Sequence, residues 1–281
     1  MPTALCDGIE TRYEVTGDGP PLLLFSPGGF NAQLENWSTF GIYARLGLVE
    51  RLAERFTCIA FDKRESGQSG GRVEVLAWDA YARQGAALLD ELGIERAALM
   101  GGCIGCSIVT TFAAAWPDRA ERLVLYSPAG GPRYRITQRT RFAEHLAYVE
   151  SDGLAAVVEL ARASEKTYAL DPRVGPWVSV LRIDDDFASA YEALDATDYA
   201  ALVEESARTL FDRDTVPGPE PERLLALDVP ALVVPGNDAS HARSAARYLE
   251  ECLPGAQYWD ALPEEQTADT APQRVLEFLL Q

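Results

Sequence analysis

Short apolar runs alternate with amphipathic segments along most of the chain. Two of these segments, residues 79–93 and 107–120, carry apolar side chains at intervals of three and four residues, which indicates helices. The apolar runs end in turn residues, as buried parallel strands do. They are PPLLLFS (20–26), FTCIAFD (56–62), RAALMG (96–101), RLVLYS (122–127) and PALVVPG (230–236). Strands that alternate with helices predict an α/β fold with a mostly parallel, doubly wound sheet.

The alternation stops after the run at 122–127, and only helical patterns follow it. The clearest of them is TRFAEHLAYVESDGLAAVVELARA. We expect residues 132–219 to form a helical lid inserted into a core of residues 1–131 and 220–281. A lid over the carboxyl ends of the strands is the expected source of substrate selectivity. Candidate pocket segments, rich in aromatic residues and arginine, are WDAYARQ (78–84), RYRITQR (133–139) and GPWVSVLR (175–182).

The chain is strongly acidic. Its 281 residues include 43 acidic and 25 basic ones, which gives a formal net charge of −18. Such a charge repels nucleic acids and anionic lipids, so we predict neither a nucleic-acid partner nor a membrane partner. Five cysteines are an odd number and suit a reducing compartment better than a disulfide framework. No export signal and no apolar run long enough to span a membrane is visible, so we expect a cytoplasmic protein.

One cysteine lies at a sharp turn between a predicted strand and helix, in the run ALMGGCIGCS. Small residues around a central nucleophile, as in Gly101–Gly105, are typical of a nucleophile elbow, whose strained backbone leaves little room for neighbouring side chains. Cys103 would then lie at a helix N-terminus, which lowers the pKa of a thiol. Cys103 and Cys106 also have the C-x-x-C spacing of redox enzymes. The surrounding strand order is not thioredoxin-like, and no Cys/His cluster suggests a metal.

With this elbow, the chain resembles the α/β-hydrolase family over nearly its whole length. LLLFSPGGF resembles the family's oxyanion-hole loop, except that Ser26 and Pro27 replace the usual histidine region. IAFDKRESGQSG is similar to the family's Asp-x-Arg-Gly-x-Gly-x-Ser turn, with Glu65 where a glycine is common. ALVVPGNDASH resembles the loop that delivers the acid of the catalytic triad. The resemblance therefore implies an α/β-hydrolase fold. It also implies that Cys103 is the nucleophile, that Asp238 is the acid, and that the backbone N–H groups of Gly29 and Ile104 stabilise the oxyanion.

The family's catalytic histidine is missing from its usual place. That region reads AQYWDALPEEQTADTAPQRVLEFLL and contains no histidine. The vacant position falls near Glu265 or Gln266. A thiol tolerates this loss better than a hydroxyl does, because a shift of about one to two pH units is enough to ionise it at neutral pH.

Three side chains are candidates to replace the missing base. His241 follows Asp238 by three residues and would reach the site if its loop folds inward; otherwise it packs in the first turn of the next helix. His145 lies in the lid segment, near the apolar face of a helix, and would act only if it points down at the thiol. Glu265 lies beside the vacant position, in what is otherwise an ordinary solvated loop. Asp238 itself would act as a base, bind substrate or cap a helix.

These residues together predict an enzyme. The leading hypothesis is an α/β-hydrolase-fold enzyme that acts on a small ester, thioester or lactone through Cys103. A non-hydrolytic lyase or cyclase of small-molecule biosynthesis is the second hypothesis, because activating water for deacylation is the step that most needs a base. A non-catalytic small-molecule binder is the third. We expect a small-molecule substrate, free or bound to a carrier protein, with no organic cofactor and no metal.

Overall fold

A single eight-stranded sheet runs through the computed structural model, which describes all 281 residues. Its strands lie in the order β1-β2-β4-β3-β5-β6-β7-β8. They are β1 (Thr3–Cys6), β2 (Ile9–Thr16), β3 (Pro21–Phe25), β4 (Thr57–Phe61), β5 (Ala97–Gly102), β6 (Ala120–Tyr126), β7 (Ala231–Val234) and β8 (Ala256–Tyr258).

Twelve α-helices accompany the sheet. They are α1 (Asn36–Thr39), α2 (Gly41–Leu46), α3 (Leu48–Leu52), α4 (Trp78–Glu91), α5 (Gly105–Ala115), α6 (Pro132–Ala163), α7 (Val178–Ile183), α8 (Asp185–Glu192), α9 (Ala196–Leu210), α10 (Pro221–Leu225), α11 (Arg243–Cys252) and α12 (Thr270–Leu279). The two helices expected at 79–93 and 107–120 correspond to α4 and α5. The second ends at Ala115, earlier than expected, because Pro117 cannot continue the helix.

The five predicted strands correspond to β3 through β7, which are parallel to one another. This confirms the mostly parallel, doubly wound sheet. The strands that the pattern missed are β1, β2 and β8. The first two form an antiparallel extension of the sheet. Strand β2 has the polar sequence IETRYEVT, and its last residues are exposed. Strand β8 has only three residues, all of them half-buried.

Both faces of the sheet are covered by helices. Alternation along β3 shows this directly, because Leu23 and Phe25 pack on one face and Leu22 and Leu24 on the other. Helices α4 and α5 supply the first face, and helices α3 and α12 supply the second. All four of these β3 side chains are buried, so the strand that leads to the predicted oxyanion loop is fixed on both sides.

Between β6 and β7 the regular structure is helical, as expected for residues 132–219. Helix α6 begins at Pro132, directly after Gly131, and is broken at Gly153, whose φ is 82°. Phe30, from the loop after β3, packs against two aromatic side chains of this segment, with ring centroids 5.6 Å from Phe142 and 5.1 Å from Tyr168. The helical segment is therefore anchored on the loop that follows β3.

The carboxyl ends of the parallel strands carry the candidate site. Cys103 follows β5, and Asp238 and His241 follow β7. All five cysteines are free thiols, so Cys103 and Cys106 form no disulfide. No helix has both the length and the hydropathy needed to cross a bilayer. The cytoplasmic location stays a prediction.

Candidate active site

Cys103 lies in a strained backbone conformation between β5 and α5. Its φ is 56°, in the left-handed region that non-glycine residues rarely adopt. The flanking glycines make this turn feasible. A Cβ on Gly105 would lie 2.1 Å from the carbonyl oxygen of Phe25, and one on Gly101 would lie 2.4 Å from the backbone of Gly105. The Cys103 backbone N–H donates to Tyr126 in the neighbouring strand (3.1 Å), which fixes the elbow against β6.

His241 lies beside Cys103 because the loop after β7 folds back toward the sheet. Asp238 organises this loop: its Oδ1 accepts the backbone N–H groups of Ser240 (2.7 Å) and His241 (3.0 Å). Both carboxylate oxygens also lie 2.9 Å from Nδ1 of the imidazole. The other ring nitrogen, Nε2, is buried and makes no hydrogen bond, and the Cys103 thiol lies close enough for each side chain to shift the pKa of the other.

Two glycines contact this folded-back loop, and one of them leaves room for it. A Cβ on Gly236 would lie 2.3 Å from the Cβ of His241. Gly130, after β6, forms a parallel bridge with His241, and its N–H donates to the carbonyl of Ser240 (2.9 Å). The imidazole is therefore held by its carboxylate partner and by the backbone on both sides.

The pair of Cys103 and His241 favours the ionised thiol. Burial is the largest influence on the pKa of Cys103 and raises it. The charge of the neighbouring His241 and the backbone N–H groups of Ile104 and Gly28 outweigh burial, so the thiol pKa lies below its ordinary value. The arrangement therefore favours the thiolate form of Cys103 beside an imidazolium.

The two partners of His241 act on its pKa in the same direction. Burial lowers the pKa of His241, but Cys103 and Asp238 raise it by more than burial lowers it, so that it is about 10. In return, the hydrogen bond with His241 lowers the pKa of Asp238 to about 2, although the carboxyl group is largely exposed. Asp238 and His241 are therefore both charged at neutral pH, and the imidazolium favours the thiolate form of Cys103.

Two backbone N–H groups lie against the Cys103 sulfur. One belongs to Ile104, as expected. The other belongs to Gly28, one residue before the expected Gly29, which instead lines the neighbouring cavity. The Gly28 turn has a φ of 125° and is held by Asn36, whose Nδ2 donates to the carbonyl groups of Pro27 (2.6 Å) and Asn31 (2.7 Å).

Gln266 is one of the two residues nearest the vacant position expected from the sequence. This side chain is buried, accepts a hydrogen bond from the Tyr126 hydroxyl and donates to the carbonyl of Ala261 (2.7 Å). Glu265, offered as a replacement base, is exposed, and its carboxylate caps a local turn by accepting the N–H of Leu262 (2.7 Å). It is not among the charged neighbours of Cys103, because the turn directs it to solvent.

The lid candidate His145 is also placed away from the thiol. Its Nε2 lies 2.6 Å from the Tyr199 hydroxyl, and its Nδ1 lies 3.2 Å from the carbonyl of Arg173. Burial lowers its pKa to about 4, so the ring is neutral. A carbonyl only accepts, so Nδ1 carries the proton and Nε2 accepts from Tyr199. His145 is thus a satisfied residue of the helical segment, because its apolar surroundings and both partners belong there.

A narrow cavity of about 20 Å³ adjoins the elbow. Of the candidate pocket segments, 78–84 and 133–139 contribute to it, whereas 175–182 does not: Trp177 is buried against Tyr191 and Tyr199. Of the two polar residues of the wall, Gln138 lies in the expected segment 133–139, whereas Lys63 was not among the candidate pocket residues. The lining residues are Gly29, Phe30, Lys63, Trp78, Tyr81, Ile104, Tyr134, Gln138, Leu210 and Phe211.

Comparison with known proteins identifies the fold. Residues 21–150 match a family model described as the alpha/beta hydrolase fold. An enol-lactonase from Burkholderia xenovorans has a similar structure, with a TM-score of 0.64, 20% identity and full coverage of both chains. A thermophilic esterase from Thermogutta terrifontis has a TM-score of 0.64 at 22% identity, over 99% of this chain and 97% of the esterase. The chain therefore has the α/β-hydrolase fold.

Curated relatives match a shorter region. A putative carbamate hydrolase of Azorhizobium caulinodans is 31% identical over 125 residues, which cover 44% of this chain and 43% of the relative. A 2-hydroxy-6-oxo-2,4-heptadienoate hydrolase of Pseudomonas putida is 31% identical over 128 residues, covering 45% and 44%. An acetyltransferase component of the acetoin cleaving system of Cupriavidus necator is 33% identical over 124 residues, covering 44% and 31%. The matched region thus spans less than half of each of these relatives.

Proposed function

We propose that this protein, which has the α/β-hydrolase fold, is a cysteine hydrolase of small esters, thioesters or lactones. Cys103 is the nucleophile, His241 transfers protons and Asp238 holds His241. The observation that carries the proposal is the placement of His241, whose Nδ1 is held by a carboxylate and whose ring lies beside the Cys103 thiol. Relatives named as hydrolases lend support to a hydrolase-like enzyme.

The first half of the reaction forms a thioester. The Cys103 thiolate attacks the substrate carbonyl carbon, and the carbonyl oxygen becomes an oxyanion beside the N–H groups of Ile104 and Gly28. The intermediate collapses with cleavage of the bond to the leaving group. That group leaves with the proton from Nε2 of the His241 imidazolium, so the ring becomes neutral.

The second half returns the enzyme to its starting state. Neutral His241 takes a proton from water at Nε2, and the resulting hydroxide adds to the thioester carbonyl. Collapse of this second oxyanion releases the carboxylic acid and the Cys103 thiolate. Asp238 stabilises the imidazolium at both stages and keeps Nε2 directed at the sulfur.

A lyase or cyclase is the expectation when no base stands beside the nucleophile. His241 occupies that place from a different loop, so the step that requires a base has a candidate for it. Hydrolysis is therefore preferred over a non-hydrolytic reaction. A substrate attached to a carrier protein, and a cytoplasmic location, stay predictions.

The experiment that tests the proposal follows the covalent intermediate. Purified protein is mixed with para-nitrophenyl acetate, nitrophenol release is recorded by stopped flow, and quenched protein is analysed by intact mass and peptide mapping. We expect one acetyl group on Cys103, formed in a burst and then lost to water. Cys103→Ala should abolish labelling, and His241→Ala should slow both phases. Labelled water should enter the acetate product.

Three results would contradict the proposal. Acetylation of Cys103→Ala to the wild-type extent would place the nucleophile elsewhere. Turnover without incorporation of labelled oxygen would favour a lyase or cyclase. Ligand binding without any covalent adduct, unchanged in Cys103→Ala, would indicate a non-catalytic binder.

A further inference from the structure

A buried lysine lines the cavity beside the elbow. Lys63 follows β4, and its side chain is 4% exposed. The Nζ atom donates one hydrogen bond, to the carbonyl of Arg64 (2.9 Å), and faces the rings of Tyr81 at 4.2 Å and Phe30 at 5.7 Å. An ammonium group has three N–H donors. Lys63 therefore has donors without a partner in a nearly dry environment.

The one carboxylate near Lys63 is shared with a second cation. Glu65 Oε2 lies 3.6 Å from Nζ, too far for a hydrogen bond, and is itself without a hydrogen-bond partner. The other oxygen, Oε1, lies 3.0 Å from Nε of Arg64. Arg64 also pairs with Asp7 and Glu74, so its charge is fully compensated. Glu65 thus offsets the charge of Lys63 at a distance but leaves its donors available.

The backbone at Glu65 shows that this arrangement is maintained against strain. Glu65 has a φ of 61°, in the left-handed region where a glycine would be unstrained. The family that the sequence resembles commonly has glycine at this position. A buried glutamate at such a position is costly unless its charge is needed. Here Glu65 lies beside two cations, Lys63 and Arg64, and offsets their charge. Burial lowers the pKa of Lys63 to about 8, while Glu65 acts to raise it, so the ammonium form predominates at neutral pH.

Two residues that line the same cavity carry buried donors without an acceptor. The Tyr81 hydroxyl and the Trp78 indole N–H are buried and without hydrogen-bond partners. A buried donor without an acceptor costs about 1–3 kcal/mol. The cavity therefore combines one cation with two neutral donors, and it also includes Ile104, whose N–H lies against the Cys103 sulfur.

We propose that Lys63, with Tyr81 and Trp78, binds a carboxylate of the substrate while the reactive carbonyl of the same molecule lies at Cys103. A carboxylate supplies two acceptor oxygens and one negative charge, which match one ammonium and two neutral donors. The cavity has a volume of about 20 Å³, room for about one water and far below the usual range of about 300–1,000 Å³ for ligand pockets, so its wall must open to admit a substrate. The substrate class is therefore a small ester, thioester or lactone that carries a carboxylate. This inference rests on the proposed function.

The kinetic test compares two esters that differ in charge. Mono-para-nitrophenyl glutarate carries the carboxylate, and its methyl ester does not. For the charged ester, Lys63→Met should lower kcat/KM by about tenfold to a hundredfold, mainly through KM, as expected for loss of a charged hydrogen bond. For the neutral ester, the change should stay within about threefold. The chain has one other lysine, Lys166, which is exposed, so Lys166→Met is the matched control and should change neither value.

A binding measurement separates this inference from the proposed function. In Cys103→Ala, which cannot form a thioester, monomethyl glutarate and dimethyl glutarate are titrated while the nitrogen signals of isotope-labelled lysine are recorded. With two lysines in the chain, each signal is assigned by substitution. We expect the monomethyl ester to move the Lys63 signal and to raise its pKa, and the dimethyl ester to leave it unchanged. This measurement stays informative if Lys63→Met fails to fold.

The outcomes are distinct. Carboxylate binding at Lys63 without any ester turnover would sustain the inference and contradict the proposed function. Turnover of both esters with equal losses in Lys63→Met would overturn the inference and assign Lys63 a structural role. A Lys63 signal that responds equally to the two titrants, or to neither, would also overturn it.

Discussion

Both carboxylate oxygens of Asp238 lie 2.9 Å from Nδ1 of His241, a residue only three positions further along the same loop. Acid and imidazole thus come from one turn, which is itself fixed by hydrogen bonds from the backbone of Ser240 and His241 to the same carboxylate. A single loop therefore delivers both groups, while Gln266 accepts a hydrogen bond from Tyr126.

The pairing predicts how His241→Ala changes the reactivity of Cys103. Without the imidazolium, burial is opposed only by backbone N–H groups, so the pKa of the thiol should rise. Wild-type labelling by iodoacetamide should be half-maximal below the ordinary thiol value of 9.0, and the variant should need a higher pH. Each unit of this increase lowers labelling at neutral pH by about tenfold.

The remaining cysteines provide the internal control for this measurement. Burial raises the pKa of Cys6 to about 11 and that of Cys58 to about 12, so they should stay unlabelled near neutral pH. Peptide mapping assigns the label, and Cys103→Ser should remove it. The same pH profile in wild type and His241→Ala would show that the imidazole does not act on the thiol.

Gly236 is expected to be as important for the site as the residues that touch the sulfur. An added Cβ would lie 2.3 Å from the Cβ of His241, so Gly236→Ala must displace the imidazole or the strand end. We expect about 1–3 kcal/mol of destabilisation from this overlap and a rise in the pH of half-maximal Cys103 labelling. Thermal unfolding and labelling measure the two effects.

A second glycine gives the matched control. A Cβ on Gly255, after α11, would meet its nearest atom at 3.5 Å, an ordinary contact. Gly255→Ala should therefore change neither stability nor labelling appreciably. If Gly236→Ala folds and labels like wild type, the position of His241 does not depend on this glycine.

The sequence contained enough information for the sheet and the elbow. Apolar runs ending in turns predicted β3 through β7, and the small residues around Cys103 predicted the sharp turn, because buried strands and close backbone contacts restrict which residues fit. Polar alternation hid β2, whose side chains are half in solvent. Strand β8 was also missed, because it has only three residues and all of them are only half-buried.

The direction of side chains was less accessible. The spacing of Asp238 and His241 was compatible with His241 packing in a helix or reaching the site. Which of the two occurs depends on tertiary contacts, namely the space left by Gly236 and the pairing of His241 with Gly130. His145 and Glu265 were also compatible with a role at the site, but each is hydrogen-bonded to residues away from the thiol, His145 to Tyr199 and Glu265 to Leu262. Lys63 gave one usable signal: a charged residue directly after a buried strand lies at the functional edge of a parallel sheet.

Asp238→Asn is expected to weaken the imidazolium rather than remove the nucleophile. The carboxylate raises the pKa of His241, so its loss should lower that pKa and move the alkaline limb of the kcat/KM profile to lower pH. Because Asp238 is largely exposed, solvent screens it, and we expect a smaller loss of kcat/KM than in His241→Ala. Profiles with para-nitrophenyl acetate test this order; a larger loss in Asp238→Asn would contradict it.

The same carboxylate makes a separate prediction for acid stability. Its pKa is lowered from 3.8 to about 2 in the folded protein. A lowered folded pKa gives stability that is present above pH 3.8 and is lost as pH falls toward 2. Asp238→Asn should therefore reduce stability at neutral pH but change it little below pH 2. Urea unfolding across this range measures the difference, and a difference that stays constant with pH would contradict the assignment.

His145 predicts the opposite combination, a change in stability without a change at the thiol. Burial lowers its pKa from 6.5 to about 4, so its neutral form stabilises the fold above pH 6.5 and this contribution is lost as pH falls toward 4. The two values give a loss of about 3 kcal/mol between them. His145→Gln keeps a donor for the carbonyl of Arg173 and an acceptor for Tyr199 but does not titrate. The difference in unfolding free energy between wild type and variant should therefore change across this pH range, while iodoacetamide labelling of Cys103 keeps its wild-type profile. A shifted labelling profile would show that His145 acts on Cys103. A difference in unfolding free energy that does not change with pH would show that the ring is not buried in its neutral form.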